Sequence, residues 1–114
     1  MSAMKHRKTG EERRVSKRHA ITIDVEWEGL VGRQHGTISD VSMLGCFVLC
    51  SGEVENGETV KVFFPIGEGM KVQFWGEVVN HVFEIGFGVR FIELNESQNE
   101  FLSRLIGSIK KIER

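Results

Sequence analysis

The feature that most constrains the fold of this chain is a succession of short segments in which apolar and polar residues alternate. In the first, between His19 and Trp27, apolar side chains alternate with Thr22, Asp24 and Glu26. Because successive side chains of a strand point to opposite faces, this alternation predicts a strand with one face in water. Further strands are predicted at 37–41, 46–50, 60–64, 72–78 and 85–91. Short strands joined by turns are typical of an antiparallel barrel or a sandwich, and both remain open.

Glycine and proline residues mark the predicted ends of these strands. The glycines from Gly29 to Gly36 indicate a hairpin between the first two strands, and residues 37–41 begin or continue the second of them. Pro65 and the loop at Gly67–Gly69 are expected to stop the fourth strand, because proline cannot donate a hydrogen bond to a neighbouring strand. Gly86 and Gly88 fall on one face of the sixth strand, which predicts a bend or a close approach of backbone or ligand there.

The last segment of the chain changes from a strand pattern to a helical one. Asn95 and Gln98 have the spacing of a capping box, in which each side chain accepts a hydrogen bond from the backbone N–H of the other residue. Apolar residues then recur at helical spacing as Phe101, Leu102, Leu105, Ile106, Ile109 and Ile112. These features predict one amphipathic helix over residues 95–111 that packs against the strands.

Charge is divided unevenly between the N-terminal segment and the rest of the chain. Residues 1–18 contain seven Lys or Arg and two Glu, a balance of +5, whereas the other 96 residues contain 8 basic and 14 acidic residues, a balance of −6. A cationic segment on an acidic body indicates either an anionic partner bound at one end or a solvated basic tail. Residues 1–18 also lack apolar periodicity, which predicts a disordered or extended segment.

Several classes of function are disfavoured by the sequence. The four histidines are scattered and no protease, hydrolase or Walker motif is present, so the chain is not expected to be an enzyme. Cys46 and Cys50 lie on one predicted strand about 13 Å apart, too far for a disulfide. No metal-ligand pattern accompanies them, so neither a metal nor a cofactor is expected. The lack of a signal sequence and of a long apolar stretch predicts a cytoplasmic protein without membrane insertion.

Two short motifs have side chains suited to binding a ligand. In the first, an R-x-x-x-R motif, Arg14 and Arg18 would point to one side of an extended chain and could grip phosphate or the O6/N7 edge of guanine. The second is a D-x-S-x-x-G motif. On a strand, its Asp40 and Ser42 would project outward together towards the N1/N2 edge of a guanine, and Gly45 would allow a positive φ at the turn. Taken separately, the motifs also fit a solvated basic run and an ordinary turn.

The order and placement of these motifs resemble the PilZ domain family. The R-x-x-x-R motif precedes the first predicted strand, and the D-x-S-x-x-G motif begins 22 residues after Arg18, between the second and third strands. Later segments are also similar to strands of that family, namely Gly57–Val62 (G-x-x-V-x-V), Gly76–Val79 and Gly88–Phe91 (G-V-R-F). The resemblance covers about residues 11–110 of the chain.

The resemblance implies a mostly β fold. The expected architecture is a six-stranded antiparallel β-barrel of the Greek-key or split-barrel kind, with a C-terminal α-helix and a flexible N-terminal tail. A basic tail would occupy residues 1–10, and the PilZ-like domain residues 11–114. Within that domain, 11–18 would be the ligand-binding segment, 19–94 the barrel and 95–111 the helix.

The resemblance further implies that the ligand is cyclic di-GMP. In such domains the arginines of the first motif hold guanine Hoogsteen edges and phosphates, and the acidic and hydroxyl residues of the second hold the other side of a guanine. Arg13 is similar to an arginine of family members that take up an intercalated ligand dimer. Asn80 departs from the family, since many members carry a basic or aromatic residue there. The predicted binding residues are Arg13, Arg14, Arg18, Asp40, Ser42 and Gly45.

These expectations combine into a functional hypothesis. The chain would be a cyclic di-GMP receptor or adaptor whose residues 8–18 wrap over the ligand and which then signals to a partner protein of unknown identity. One alternative is a module of the same fold that binds a protein without nucleotide. Another is sequence-independent nucleic-acid binding through the basic tail, although the acidic body means that no DNA or RNA partner is expected.

Overall fold

The computed structural model describes residues 17–113 and arranges them as a closed six-stranded barrel with one helix. The elements are β1 (His19–Gly29), β2 (Gly32–Val41), β3 (Gly45–Leu49), β4 (Thr59–Gly67), β5 (Met70–Val82), β6 (Gly86–Phe91) and α1 (Glu96–Glu113). Every neighbouring pair of strands is antiparallel, in the order β1-β2-β3-β6-β5-β4. The predicted six-stranded antiparallel barrel with a C-terminal helix is confirmed, and of the two architectures left open the barrel is correct. The predicted tail at 1–10 and residues 11–16 lie outside the described residues.

Two pairings between strands distant in sequence close the barrel. β1 pairs with β4, for example Trp27 with Val62, and β3 pairs with β6 from Gly45 opposite Arg90 onwards. The antiparallel order gives the barrel two distinct ends. We call the end that carries the β2–β3 turn the first end, and the end that carries the β1–β2 and β5–β6 turns the second end.

The interior is filled by the apolar faces of the strands. In the core, Trp27 is almost fully buried and packs edge-to-face against Phe87, with ring centroids 4.9 Å apart. In another part, Phe64 and Phe74 receive Phe101 from the helix at centroid distances of 5.5 and 5.9 Å. Edge-to-face aromatic pairs of this kind add to the stabilisation from burial alone.

The helix closes the core and begins where the sequence predicts. The backbone N–H of Asn95 donates to Gln98 Oε1, and the N–H of Gln98 donates to Asn95 Oδ1, both at 2.8 Å. This reciprocal capping box is confirmed. One face of α1 then buries Leu102, Ile106 and Ile109 in the core, so the predicted packing of the helix against the barrel is also confirmed.

The predicted hairpin between the first two strands is confirmed, with Leu30 and Val31 as its turn. The second strand already includes Arg33 and Gly36, which pair with β1, so residues 37–41 continue it. Pro65 does not stop β4, since it still pairs with Lys71 of β5, and the strand ends instead at Gly67, where the glycine loop was predicted. The register shifts directly after Pro65, and such an irregularity near a strand end is a place where a missing N–H donor is tolerated.

We expect Leu102→Ala to lower the free energy of unfolding by about 2–5 kcal/mol, because it leaves a cavity under the helix. Leu102 is fully buried, whereas Leu30 is 86% exposed and offers a matched control, Leu30→Ala, that should change stability little. Urea unfolding of both variants measures the difference. Equal effects of the two substitutions would contradict this packing.

Candidate ligand-binding site

The turn between β2 and β3 is held by the side chain of Ser42. Its Oγ accepts hydrogen bonds from the backbone N–H groups of Leu44 at 3.1 Å and Gly45 at 3.2 Å, and donates to the carbonyl oxygen of Gly45 at 3.4 Å. Ser42 is only 4% exposed. The prediction that Ser42 projects outward beside Asp40 is therefore wrong, because the hydroxyl is turned into the loop and bound there.

Gly45 is required by close packing rather than by a positive φ. Its φ is not positive, which corrects the prediction from the sequence. A Cβ at this position would overlap the backbone carbonyl oxygen of Val89 in β6. The N–H of Phe91 also donates to the carbonyl oxygen of Leu44 at 2.8 Å, so the turn is attached to β6 on both sides of Gly45.

An ion pair joins the start of the described chain to β2 beside this turn. Arg18 Nη1 lies 3.7 Å from Asp40 Oδ1, with the arginine side chain 64% exposed and the aspartate 26% exposed. Asp40 Oδ1 is buried, yet within residues 17–113 it accepts no hydrogen bond. The rest of the side chain is partly exposed, and a carboxylate can accept from several donors, so the Asp40 carboxylate retains acceptor capacity.

A shallow cavity of about 200 Å³ lies between the turn and β6. Its lining combines two cationic side chains with small and apolar groups: Arg18, Ser42, Leu44, Gly45, Cys46, Val79, Val89 and Arg90. Arg90 forms an ion pair with Glu77 on the neighbouring strand. The cavity is smaller than the roughly 300–1,000 Å³ of sites that enclose a small molecule, so it could cover only part of such a molecule.

Most of the predicted site residues within the described chain meet at this cavity. Arg18, Ser42 and Gly45 line it, and Asp40 adjoins it through its ion pair with Arg18. Asn80 is exposed and does not line the cavity. Arg13 and Arg14 lie outside the described residues, and their place in a site stays a prediction.

The sequence placed Arg90 at the rim of the site but assigned it no role. The structure puts Arg90 in the lining of the cavity, opposite the D-x-S-x-x-G motif. Gly45 and Arg90 become neighbours only because β3 pairs with β6, a pairing between residues 45 positions apart. Local periodicity predicts strands but not which strands pair, so it carried no signal for this contact.

The thiol of Cys46 lies in the lining of the cavity. Burial raises the pKa of the Cys46 thiol, as does the nearby carboxylate of Asp40, while Arg18 opposes the shift. Cys46 is thus a neutral packing residue and a poor nucleophile.

In the described part of the chain no group of His, Cys, Asp or Glu is placed to hold a metal ion. None of the helices among residues 17–113 has the length and apolar character to cross a membrane.

Comparisons with known proteins agree with the sequence resemblance. The family model of the PilZ domain matches residues 12–108 of the chain. No curated protein sequence matches it.

Solved structures of low sequence identity have a similar fold. The PilZ domain of CeSA from a cellulose-synthesizing bacterium is 21% identical with a TM-score of 0.64, over 87% of this chain and 100% of that one. The PilZ domain of YcgR from Escherichia coli, determined with c-di-GMP, is 15% identical with a TM-score of 0.73, over 90% and 95%. Borreliella burgdorferi PlzA in complex with c-di-GMP is 13% identical with a TM-score of 0.68, over 89% of this chain and 44% of that one.

We expect Ser42→Ala to lower the free energy of unfolding by about 1–3 kcal/mol, because it removes the part-buried hydrogen bonds between the Ser42 hydroxyl and the turn. Ser103→Ala, at an exposed position of α1, is the matched control and should have little effect. Thermal unfolding of both variants tests the role of Ser42. A Ser42→Ala protein as stable as the control would show that the hydroxyl does not hold the turn.

Proposed function

Because the chain belongs to the PilZ domain family, we propose that it is a receptor for cyclic di-GMP. The observation that carries the proposal is the meeting of Arg18, Asp40, the Ser42–Gly45 turn and Arg90 around one cavity. The c-di-GMP in the similar structures of YcgR and PlzA supports this class of ligand.

The ligand's chemistry matches the groups around the cavity. Cyclic di-GMP carries two phosphates and two guanines, so a site needs cations, planar donor groups and an acceptor for a base edge. The guanidinium of Arg18 can donate two parallel hydrogen bonds to a phosphate or to guanine O6 and N7. The partly exposed carboxylate of Asp40 can accept from guanine N1 and N2, which are donors. In this proposal Arg18 binds one edge of the ligand and Asp40 another.

Ser42 and Gly45 contribute by fixing the backbone conformation of the turn. Ser42 already uses its hydroxyl within the loop, so we assign it the role of holding the backbone in place beside the guanine. Gly45 lets the turn approach β6, which places Arg90 at the rim. The exposed side chains of Leu44 and Val79 offer an apolar surface for a purine ring.

The second wall of the site is assigned to residues 8–18. The cavity covers only part of a dinucleotide, and Arg18 already borders it. Four residues of extended chain span at most about 14 Å, so Arg14 can reach the same ligand from the other side. We propose that this segment closes over the nucleotide with Arg13 and Arg14, around either one molecule or an intercalated pair. The closed segment would present a new surface to a partner protein.

The double variant Arg14→Ala/Arg18→Ala should lose cyclic di-GMP binding by more than about 100-fold, because both bidentate donors are removed. Isothermal titration calorimetry measures the affinity and the stoichiometry together. Arg18 is exposed, so thermal unfolding should change little. The control is Arg104→Ala/Lys110→Ala, which removes two exposed charges from α1. Undiminished binding by the first variant would refute the assignment of the arginines.

Asp40→Asn should weaken binding by about tenfold or more if the carboxylate accepts the guanine edge, because a charged acceptor is replaced by a neutral one. The same titration distinguishes a second geometry. If a phosphate faced Asp40, removing its negative charge would strengthen binding, and that result would contradict the proposed pose. Asp24→Asn, on the exposed face of β1, is the matched control and should bind like the wild type.

A further inference from the structure

The second end of the barrel exposes large apolar side chains from two turns. Leu30 and Val31 form the β1–β2 turn and are 86% and 72% exposed, and Phe83 in the β5–β6 turn is 71% exposed. Turns of this kind are normally built from Gly, Asn, Asp or Ser, so the hairpins themselves have no need of these residues. We call Leu30, Val31 and Phe83 the apolar patch.

The apolar patch forms part of a groove rather than a flat surface. Leu30, Val31 and Phe83 line a cavity of about 340 Å³, which has the buried Val54 among its lining residues. Its remaining lining residues are polar or acidic: Glu53, Glu55, Glu58 and His81. Apolar surface bordered by polar residues on a soluble domain is characteristic of a site that binds another protein.

Hydrogen bonds hold the walls of the groove in place. Glu58 Oε2 accepts from the N–H of Leu30 at 2.9 Å, and Glu58 Oε1 accepts from the N–H of Glu55 at 3.0 Å. On the other side, the N–H of His81 donates to Asn56 Oδ1 at 3.2 Å. The loop between β3 and β4 is thereby joined both to the β1–β2 turn and to β5. A preformed groove loses little entropy when a partner binds.

The charges around the groove select one kind of occupant. Its lining contains three glutamates and no lysine or arginine, and Glu53 and Glu55 are exposed. We propose that the groove binds a segment of a partner protein in which apolar side chains are flanked by lysine or arginine. A second copy of this chain fits less well, since symmetric pairing would bring the two acidic rims together. This inference does not depend on nucleotide binding at the first end.

The first test uses two synthetic peptides and the full-length, nucleotide-free protein. One peptide alternates leucine with lysine, and the other has glutamate in place of every lysine. In ¹⁵N–¹H spectra the lysine peptide should shift the amide signals of Leu30, Val31 and Phe83. It should also bind about tenfold or more tightly than the glutamate peptide. No binding, or shifts confined to the first end, would overturn the proposal.

Variants distinguish binding in the groove from nonspecific binding to exposed apolar side chains elsewhere on the protein. Leu30→Ser/Phe83→Ser should weaken binding of the lysine peptide about tenfold, because two exposed anchors are lost. The control Ile66→Ser/Met70→Ser removes two apolar groups, 45% and 60% exposed, near the β4–β5 turn and away from the groove, and should not affect binding.

A second pair of variants tests the charge. Glu53→Gln/Glu55→Gln should weaken binding of the lysine peptide, whereas Glu68→Gln/Glu93→Gln, at exposed positions outside the groove lining, should not. Equal effects of the two pairs would contradict the role of the acidic rim.

Analytical ultracentrifugation without peptide completes the test. A dimer that Leu30→Ser/Phe83→Ser dissociates would show that a second copy occupies the groove and would refute the proposal.

Discussion

The close approach of the β2–β3 turn to β6 is the contact on which the candidate site depends. It requires a residue without a side chain, because any Cβ at Gly45 would overlap the Val89 carbonyl oxygen. The same approach allows β3 to pair with β6, one of the two pairings that close the barrel. It also brings Arg90 beside the turn, and Ser42 keeps the turn in shape. The pairing of β3 with β6 therefore both closes the barrel and forms the cavity.

Much of the fold could be predicted because its signals are local. Alternation of apolar and polar residues located most of the strands, the wholly apolar run 46–50 located β3, and the Asn95–Gln98 capping box located the start of the helix. Differences arose where the pairing partner decides how far a strand extends. The glycines at 29–36 indicated a hairpin, yet Arg33 and Gly36 already belong to β2 because β1 lies opposite them. Pro65 remains in β4 because the register is already irregular beside it.

The site was predictable in its composition but not in its arrangement. The two motifs identified Arg18, Asp40, Ser42 and Gly45, and the structure brings these residues together at the first end. Their individual orientations depend on the local backbone, so the inward rotation of Ser42 was missed. Arg90 was expected at the rim of the site, but its role could not be assigned. Its contact with the β2–β3 turn follows from the order of strands around the barrel, which alternation of side chains does not encode.

The central claim is that the wall formed by the β2–β3 turn, Arg18 and Arg90 binds a guanine dinucleotide. Titration of the ¹⁵N-labelled full-length protein with cyclic di-GMP tests it most directly, with cyclic di-AMP as the control because adenine lacks the O6 and N2 groups of guanine. With cyclic di-GMP alone, we expect saturable chemical-shift changes at the amides of Arg18, Ser42–Gly45 and Arg90. No shifts, or the same response to both nucleotides, would contradict it.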